Sequence, residues 1–351
     1  MTFEPIWGAI IAWYLFLAGL GGGAFVTSAF LGWRHPEAVS MRKIGHLVAP
    51  IVVIIGLCLL MFDAKAGLMN PLRFALLLTN FGSVMTWGVV FLGGFTVISL
   101  VVVVLDFMKK RVPVWLDIAG VVFGVAVAMY TGALLGVCKT FPLWNNALLP
   151  ILFLVSAMST GAASVLLIGI FRHADEFNRV GVLKKFHFCL PVIELVLIAA
   201  LMFITCTNST AGWNSVMSLL VGGYAPLFWI GLVLIGLVLP TALETWLLFF
   251  SPKEFEESRK AHWISAASDA GVLVGGFLLR YLVVVAALPL TMVVPMLYRA
   301  SPSLMFRAPL LRGGARAFAG CRAFSLRNAG IKDFSRGRSG ICYLRLRAFA
   351  L

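Results

Sequence analysis

The chain of 351 residues is 61% hydrophobic and only 12% charged, with a mean hydropathy of +1.00. This composition excludes a soluble globular protein, because soluble domains carry about 25% charged residues. The net charge of +14 does not indicate a nucleic-acid partner, since eleven basic residues and a single acid lie between positions 299 and 351. Residues 1–298 carry 17 basic and 13 acidic groups, and we expect no nucleic acid to bind.

The apolar residues occur in long blocks, which predicts an all-α, polytopic membrane protein in contact with the lipid bilayer. The continuous apolar run over 51–61 lacks the alternation of a membrane β-barrel. A hydrocarbon core about 30 Å thick needs roughly 20 apolar residues per helix. Eight spans are predicted on that measure, near residues 6–33, 45–67, 83–107, 114–138, 146–171, 187–208, 225–250 and 268–297.

Basic residues in the loops predict the orientation. Loops that follow odd-numbered spans hold thirteen Lys or Arg residues, and those on the other side hold three. The positive-inside rule therefore predicts a multi-pass protein of the inner (cytoplasmic) membrane with its N-terminus on the outer face. No cleavable signal peptide is expected, since the first apolar run is long enough to span the bilayer.

Short sequence matches recur between the two halves of the chain. They indicate either an internal repeat or chance similarity among membrane sequences. The matched residues are Phe16 and Phe153, Gly23 and Gly161, and His46 and His187. Because four spans separate the matched residues, these matches predict a parallel repeat of a four-helix bundle. The predicted domains are a first bundle over 1–140, a second over 141–298, and a basic tail over 299–351. The tail is either disordered or translated out of frame, and a functional basic arm is the rival interpretation.

Ionisable residues inside the predicted spans are candidate functional residues, because a charge in hydrocarbon costs several kcal/mol unless it is paired or hydrated. They are Asp63, Glu194, Glu244, Asp269 and Arg280. Asp63 either belongs to a site or only fixes a loop by an ion pair. Glu194, Glu244 and Arg280 form either a transmembrane proton route or an ion-pair lock between helices.

Polar and aromatic residues gather at the outer ends of spans 2 to 5. They are Asp63, Arg73, Asn80 and Trp87 in one group and Tyr130, Trp144 and Asn145 in a second. A phenol, a carboxylate and an indole around an apolar cleft suit a quinone, whose two carbonyl oxygens need donors and whose oxidation releases two protons. Aromatic belt residues at the membrane interface are the alternative interpretation.

The cysteines and histidines predict no metal site. The six cysteines never approach C-x-x-C spacing, so no iron–sulfur cluster is expected in this chain. A membrane haem normally needs axial histidines within the bilayer. Because His46, His187 and His262 lie at inner span ends and His35 and His173 lie in loops, no haem is expected and the inner-end histidines are interpreted as interfacial residues.

An ordered set of motifs runs through the chain. It comprises Asp63, Pro-Leu-Arg-Phe at 71–74, Asn80, Ser-Val-Met-Thr-Trp-Gly at 83–88, Tyr-Thr-Gly-Ala-Leu-Leu at 130–135, and the run over 144–154 that begins Trp-Asn-Asn. The runs over 14–20 and 279–286 extend it. This set resembles the NrfD/PsrC family over about residues 6–297.

The resemblance implies an integral-membrane subunit of a respiratory oxidoreductase complex that holds no redox metal itself. Such subunits bind menaquinone or ubiquinone near the outer face. They exchange electrons with a ferredoxin-like four-cluster iron–sulfur subunit, which serves a molybdopterin (or multihaem) catalytic subunit. By position, Asp63 and Tyr130 match the acid of span 2 and the phenol of span 4 that the family associates with the quinone. Relatives place an Asn and a His early in span 1, where this chain has Ile10 and Tyr14.

The resulting expectation is an electron-transfer subunit, not catalytic alone, of a complex of polysulfide, dimethyl sulfoxide, tetrathionate or nitrite reductase type. Tyr130 and Tyr14 would position the quinone oxygens, and Asp63 would take a proton. Five residues are expected to shape the opening of the quinone site and the surface that contacts the partner subunit. They are Arg73, Asn80, Trp87, Trp144 and Asn145. A secondary transporter and a purely structural anchor are the rival classes.

Overall fold

The computed structural model describes residues 7–63, 78–172, 181–250 and 259–290. Eight helices in these segments are long and apolar enough to cross a membrane. This confirms the predicted all-α fold and the number of spans. The tail over 299–351 lies outside the described residues.

The first four spans form what we call the first half. They are span 1 at Ala9–Arg34, span 2 at Val39–Asp63, span 3 at Val84–Phe107 and span 4 at Val114–Gly136. The predicted ends lie close to these bounds except at the start of span 2. That helix begins earlier than predicted because Arg42 and Lys43 continue its backbone hydrogen bonding beyond the apolar segment.

The second half holds spans 5 to 8 and a short helix. Its elements are span 5 at Leu148–Arg172, span 6 at Gly181–Asn208, the short helix Thr210–Leu220, span 7 in three pieces at Leu227–Val238, Leu239–Thr245 and Trp246–Phe250, and span 8 at Arg259–Val285. The first and last pieces of span 7 are π-helical. The short helix was not predicted. Its N-terminus is capped by Ser209, whose hydroxyl accepts a hydrogen bond from the Gly212 amide at 3.0 Å.

Span 8 lies earlier in the chain than the predicted range of 268–297. Its helix is described from Arg259, so it includes polar residues that precede the apolar segment. It ends at Val285, shortly before Pro289, and proline disfavours helical backbone at the residue before it. The predicted boundaries of this span were therefore wrong, although the span itself is present.

Span 1 lies at the centre and packs against spans 2, 4, 5 and 8. Glycines allow this close packing. A methyl group built on Gly22 would lie 2.6 Å from the Gly124 carbonyl oxygen of span 4, and one built on Gly23 would overlap the Ala157 carbonyl of span 5. Small residues at such interfaces let helix backbones approach closely in membranes. The division into two bundles related by a repeat, the domain boundaries and the orientation stay predictions.

Candidate functional site

Tyr14 and Tyr130 lie in the same apolar cluster at the predicted outer end of the first half. Tyr14 is contributed by span 1 and Tyr130 by span 4, and both side chains are buried. The two phenols are near enough for an electrostatic interaction. Within the described residues, neither hydroxyl has a hydrogen-bond partner. Two buried donors are therefore available in one apolar environment.

Span 3 shapes the space around the Tyr130 ring. A methyl group built on Gly88 would overlap the Tyr130 ring and hydroxyl, so this glycine makes room for the phenol. Phe91 packs edge-on against Tyr130 with ring centroids 6.5 Å apart, and the exposed Trp87 ring follows at 5.8 Å from Phe91. The Trp87 and Phe91 rings therefore lie between the helix surface and the buried Tyr130 phenol.

Asn80 and Trp87 organise the turn that precedes span 3. The Asn80 side-chain oxygen accepts a hydrogen bond from the Gly82 amide at 3.1 Å, and its carbonyl accepts one from the Thr86 hydroxyl at 2.7 Å. The Trp87 indole donates to the Phe81 carbonyl at 3.2 Å. Both side chains are occupied by local contacts, which is typical of residues that fix a loop.

Trp144 is buried in the loop between spans 4 and 5. Its indole N–H donates to the Val283 carbonyl of span 8 at 2.7 Å. The ring stacks on Trp7 with centroids 5.2 Å apart and packs on Phe141 at 4.2 Å. The indole donor is therefore engaged within the protein, while the neighbouring Asn145 is exposed.

Asp63 is exposed at the last residue of span 2. No hydrogen bond or ion pair within the described residues joins it to Tyr14 or Tyr130. Arg73, the other charged residue predicted for this mouth, lies outside the described residues. The structure thus brings the two tyrosines together and leaves the acid at the surface.

A buried polar cluster at the predicted inner end of the first half was missed by sequence reasoning. The His46 Nδ1 lies 2.6 Å from an Asp106 carboxylate oxygen, and an Arg42 Nη2 lies 3.5 Å from the other. The Ser28 hydroxyl donates to the Arg42 carbonyl, and Asp117 interacts with the same charges. Both aspartates fall within the predicted bounds of spans 3 and 4, so a search for carboxylates inside those bounds would have found them.

The second half holds its own buried charges, as predicted. Arg280 of span 8 is 0% exposed and Glu194 of span 6 is 3% exposed. The Arg280 guanidinium donates to the Ser156 hydroxyl at 3.0 Å and to the Gly276 carbonyl at 2.7 Å. The Glu194 carboxyl group is near enough to Ser156 and to Arg280 to interact with both. Ser156 therefore lies beside both charged groups.

Nearer the predicted inner face, a second cluster joins spans 6, 7 and 8. The His187 Nε2 lies 3.2 Å from an Asp269 carboxylate oxygen, and the Ser265 hydroxyl lies 3.3 Å from a Glu244 carboxylate oxygen. His46 and His187 are each 1% exposed. The interpretation of these two histidines as interfacial residues was wrong, because each is buried inside the helix bundle in contact with an aspartate.

A small apolar cavity of about 20 Å³ lies between spans 5, 6, 7 and 8. Its lining includes Leu152, Ile198, Leu201, Phe228 and Leu282. None of the sequence-predicted site residues contributes to it. Among the described residues, no group of three His, Cys, Asp or Glu side chains is arranged to hold a metal ion.

These features define a class: a helical membrane protein whose described residues include eight spans, two buried phenols at one end of the first half and a buried histidine–aspartate contact in the second. The sequence profile described as "Polysulphide reductase, NrfD" matches residues 1–291. The chain belongs to the NrfD family, which confirms the resemblance seen in its motifs.

Three relatives show the extent of the similarity. A polysulfide reductase chain of Wolinella succinogenes is 33% identical over 266 residues, which cover 68% of the present sequence and 83% of that protein. Protein NrfD of Escherichia coli is 27% identical over 313 residues, which cover 80% and 94%. A selenate reductase subunit of Mesobacillus selenatarsenatis is 25% identical over 295 residues, which cover 70% and 68%.

Proposed function

We propose that this protein is the quinone-binding membrane subunit of a reductase complex and passes electrons between menaquinol or ubiquinol and an iron–sulfur partner subunit. Two relatives are named as components of a polysulfide or selenate reductase, which supports a role as one subunit among several. The proposed partners are a ferredoxin-like four-cluster iron–sulfur subunit and a molybdopterin (or multihaem) catalytic subunit.

The pair of buried phenols is the observation that carries the proposal. A quinone headgroup presents two carbonyl oxygens that need hydrogen-bond donors in an otherwise apolar site. The Tyr14 and Tyr130 hydroxyls have no partner among the described residues and lie in one apolar cluster. Because water is excluded from such a cluster, a hydrogen bond made there is stronger than the same bond in water.

The residues around the phenols have distinct roles in this proposal. When bound, a quinol supplies two electrons and two protons. Tyr14 and Tyr130 donate hydrogen bonds that orient the headgroup. Phe91 lies between the exposed Trp87 and Tyr130, so a headgroup approaching by this side displaces its ring. Asp63, exposed at the end of span 2, receives a proton and exchanges it with outer water.

Replacing the phenols tests the proposal directly. Tyr130→Phe and Tyr14→Phe each remove a hydroxyl and keep the ring, so the packing is preserved. We expect quinol-dependent reduction by the purified complex to fall about fivefold in kcat/KM, because one hydrogen bond contributes about 1 kcal/mol. Tyr224→Phe, which changes a tyrosine of the second half, is the matched control and should leave the rate unchanged.

Two further measurements separate this function from the rival classes. Asp63→Asn should slow quinol oxidation without loss of complex assembly, since the amide cannot take up a proton at neutral pH. Organic extraction of the purified complex should yield bound menaquinone or ubiquinone. A complex that contains no quinone, or normal turnover in both tyrosine variants and in Asp63→Asn, would contradict the proposal and leave a transporter or a structural anchor.

A further inference from the structure

Buried polar side chains follow one face of span 6 and one face of span 8. On span 6, His187 and Glu194 are seven residues apart, and on span 8, Asp269 and Arg280 are eleven apart. Both spacings return to the same face of an α-helix, because two turns take about seven residues and three take about eleven. Each face carries two buried polar side chains at different depths, and we call these two faces together the polar seam of the second half.

The seam starts at the inner face with paired groups. His187 and Asp269 are in contact at 3.2 Å, and Glu244 contacts the Ser265 hydroxyl at 3.3 Å. His187 is the first residue of the membrane-crossing part of span 6. This end of the seam therefore lies at the predicted boundary with inner water, beside the loops rich in Lys and Arg.

The seam continues about 10 Å deeper, a distance set by seven residues of helix rise between His187 and Glu194. Here Arg280 donates a hydrogen bond to Ser156, and Glu194 is near enough to interact with both. Arg280 and Ser156 are the groups that face this carboxylate from spans 8 and 5. Glu194 is thus an acid in the membrane interior with one charged neighbour and one hydroxyl neighbour.

Several buried atoms of the seam have no hydrogen-bond partner. They are His187 Nδ1, Ser159 Oγ, Glu194 Oε1 and Arg280 Nε. The four residues belong to spans 5, 6 and 8. Buried polar groups in proteins are normally satisfied by protein or by ordered water. Ionisable side chains inside a membrane commonly mark proton relays, so these buried atoms near a carboxyl group favour a hydrated proton path.

Outward of Glu194 the seam ends in apolar residues. Ile198 and Leu201 follow Glu194 on the same face of span 6 and line the small cavity, as does Leu282 of span 8. An apolar cavity of this size stays dry. The dry cavity therefore separates Glu194 from the outer face.

The first half offers a direct comparison. Its inner cluster of His46 and Asp106 also contains a buried histidine and aspartate. It is closed on its membrane side by Phe25, whose ring lies 5.2 Å from His46 and 5.7 Å from the Phe95 ring. The polar groups of the first half stop at this aromatic layer, whereas those of the second half continue to Glu194.

We propose that the second half contains an inner-facing proton half-channel that leads past His187 to Glu194 and is closed toward the outer face by the dry cavity. In this step a proton from inner water binds a Glu194 carboxylate oxygen and gives the carboxylic acid, with no electron transferred. Arg280 keeps its charge and its hydrogen bond to Ser156. The half-channel does not depend on the proposed quinone site, and it gives Glu194 a role beyond an ion-pair lock.

Opening the dry cavity tests this proposal. Leu201→Ser places a hydroxyl in the cavity, seven residues outward of Glu194 on the same face. We expect the full protein complex in liposomes to conduct protons several-fold faster with Leu201→Ser than without it, measured by an internal pH dye under a potassium diffusion potential. The double variant Leu201→Ser with Glu194→Gln should return to the basal flux, because the amide cannot bind the proton.

Two control variants make the outcome specific. Leu92→Ser places a hydroxyl in the apolar core of the first half, where no polar seam leads to it, and should give no leak. His46→Asn should leave the Leu201→Ser leak unchanged, since the first half is closed by its aromatic layer.

Absence of a leak in Leu201→Ser overturns the half-channel and leaves the ion-pair lock. A leak that persists after Glu194→Gln overturns the role of Glu194. Neither result bears on the tyrosine variants of the quinone site.

Discussion

Gly88 positions a functional group because it has no side chain. The Tyr130 phenol occupies the space that a methyl group on this residue would take. Gly88→Ala should therefore displace the phenol and slow quinol-dependent reduction in the same way as Tyr130→Phe. Gly93→Ala is the control on the same helix, because a methyl group there meets nothing within 4 Å. Equal rates for the Gly88 and Gly93 variants would show that the position of the phenol does not matter.

Individual residues differ in how far the sequence predicts their surroundings. Arg280 and Glu194 are predictable as interior charges because they stand alone within long apolar runs. Asp106 and Asp117 also fall within predicted spans, but they lie near the span ends, where a carboxylate is ordinary, so their contacts with one another and with His46 could not be predicted. The free hydroxyl of Tyr14 is also a property of the packed structure, since a tyrosine near a span end is common in any membrane protein.

Helix packing sets a second limit on substitution, at the contact between spans 1 and 5. Gly23 and Gly161 lie directly against each other across this contact. Gly161→Ala should lower the temperature midpoint of unfolding in detergent, because overpacking a close contact costs about 1–3 kcal/mol and exceeds the gain in helix propensity. Gly93→Ala in span 3 should leave the midpoint unchanged or raise it. A thermal scan by size-exclusion chromatography distinguishes the two.

The ends of elements were harder to predict than their existence. Apolarity alone fixes the existence of each span, because about 20 apolar residues are needed to cross the bilayer. It does not fix where helical hydrogen bonding stops, as Arg259 of span 8 shows by starting the helix in polar sequence. The π-helical turns of span 7 could not be predicted from the sequence either, since residues 227–238 are as apolar as any α-helical span.

For the whole molecule, orientation is the main untested expectation. The balance of basic residues between loops predicts that Lys110 faces inward and Asn145 faces outward. In a background with the natural cysteines replaced, a membrane-impermeant thiol reagent should label Asn145→Cys and spare Lys110→Cys in spheroplasts. Permeabilised cells, in which both should react, provide the control. The reverse pattern would place the tyrosine pair on the inner side.

Two of the matched residue pairs lie close together in the structure. The Phe16 and Phe153 rings both lie against the Arg280 guanidinium, with ring centroids 5.8 and 5.3 Å from its central carbon. Gly23 contacts Gly161. The repeat itself stays a prediction. Sequence comparison within the chain identified the pairs but could not show that they meet.

The bond from Trp144 to Val283 has a consequence for how the protein melts. The Val283 carbonyl belongs to the last turn of span 8, where a helix leaves carbonyl groups without partners of its own. The Leu290 amide also donates a hydrogen bond to the Thr140 carbonyl at 3.0 Å, and this bond holds the segment after the helix to the same loop. Neither the loop nor the helix end can therefore fray alone. Their amide hydrogens would exchange with deuterium in one cooperative opening that joins the two halves of the chain.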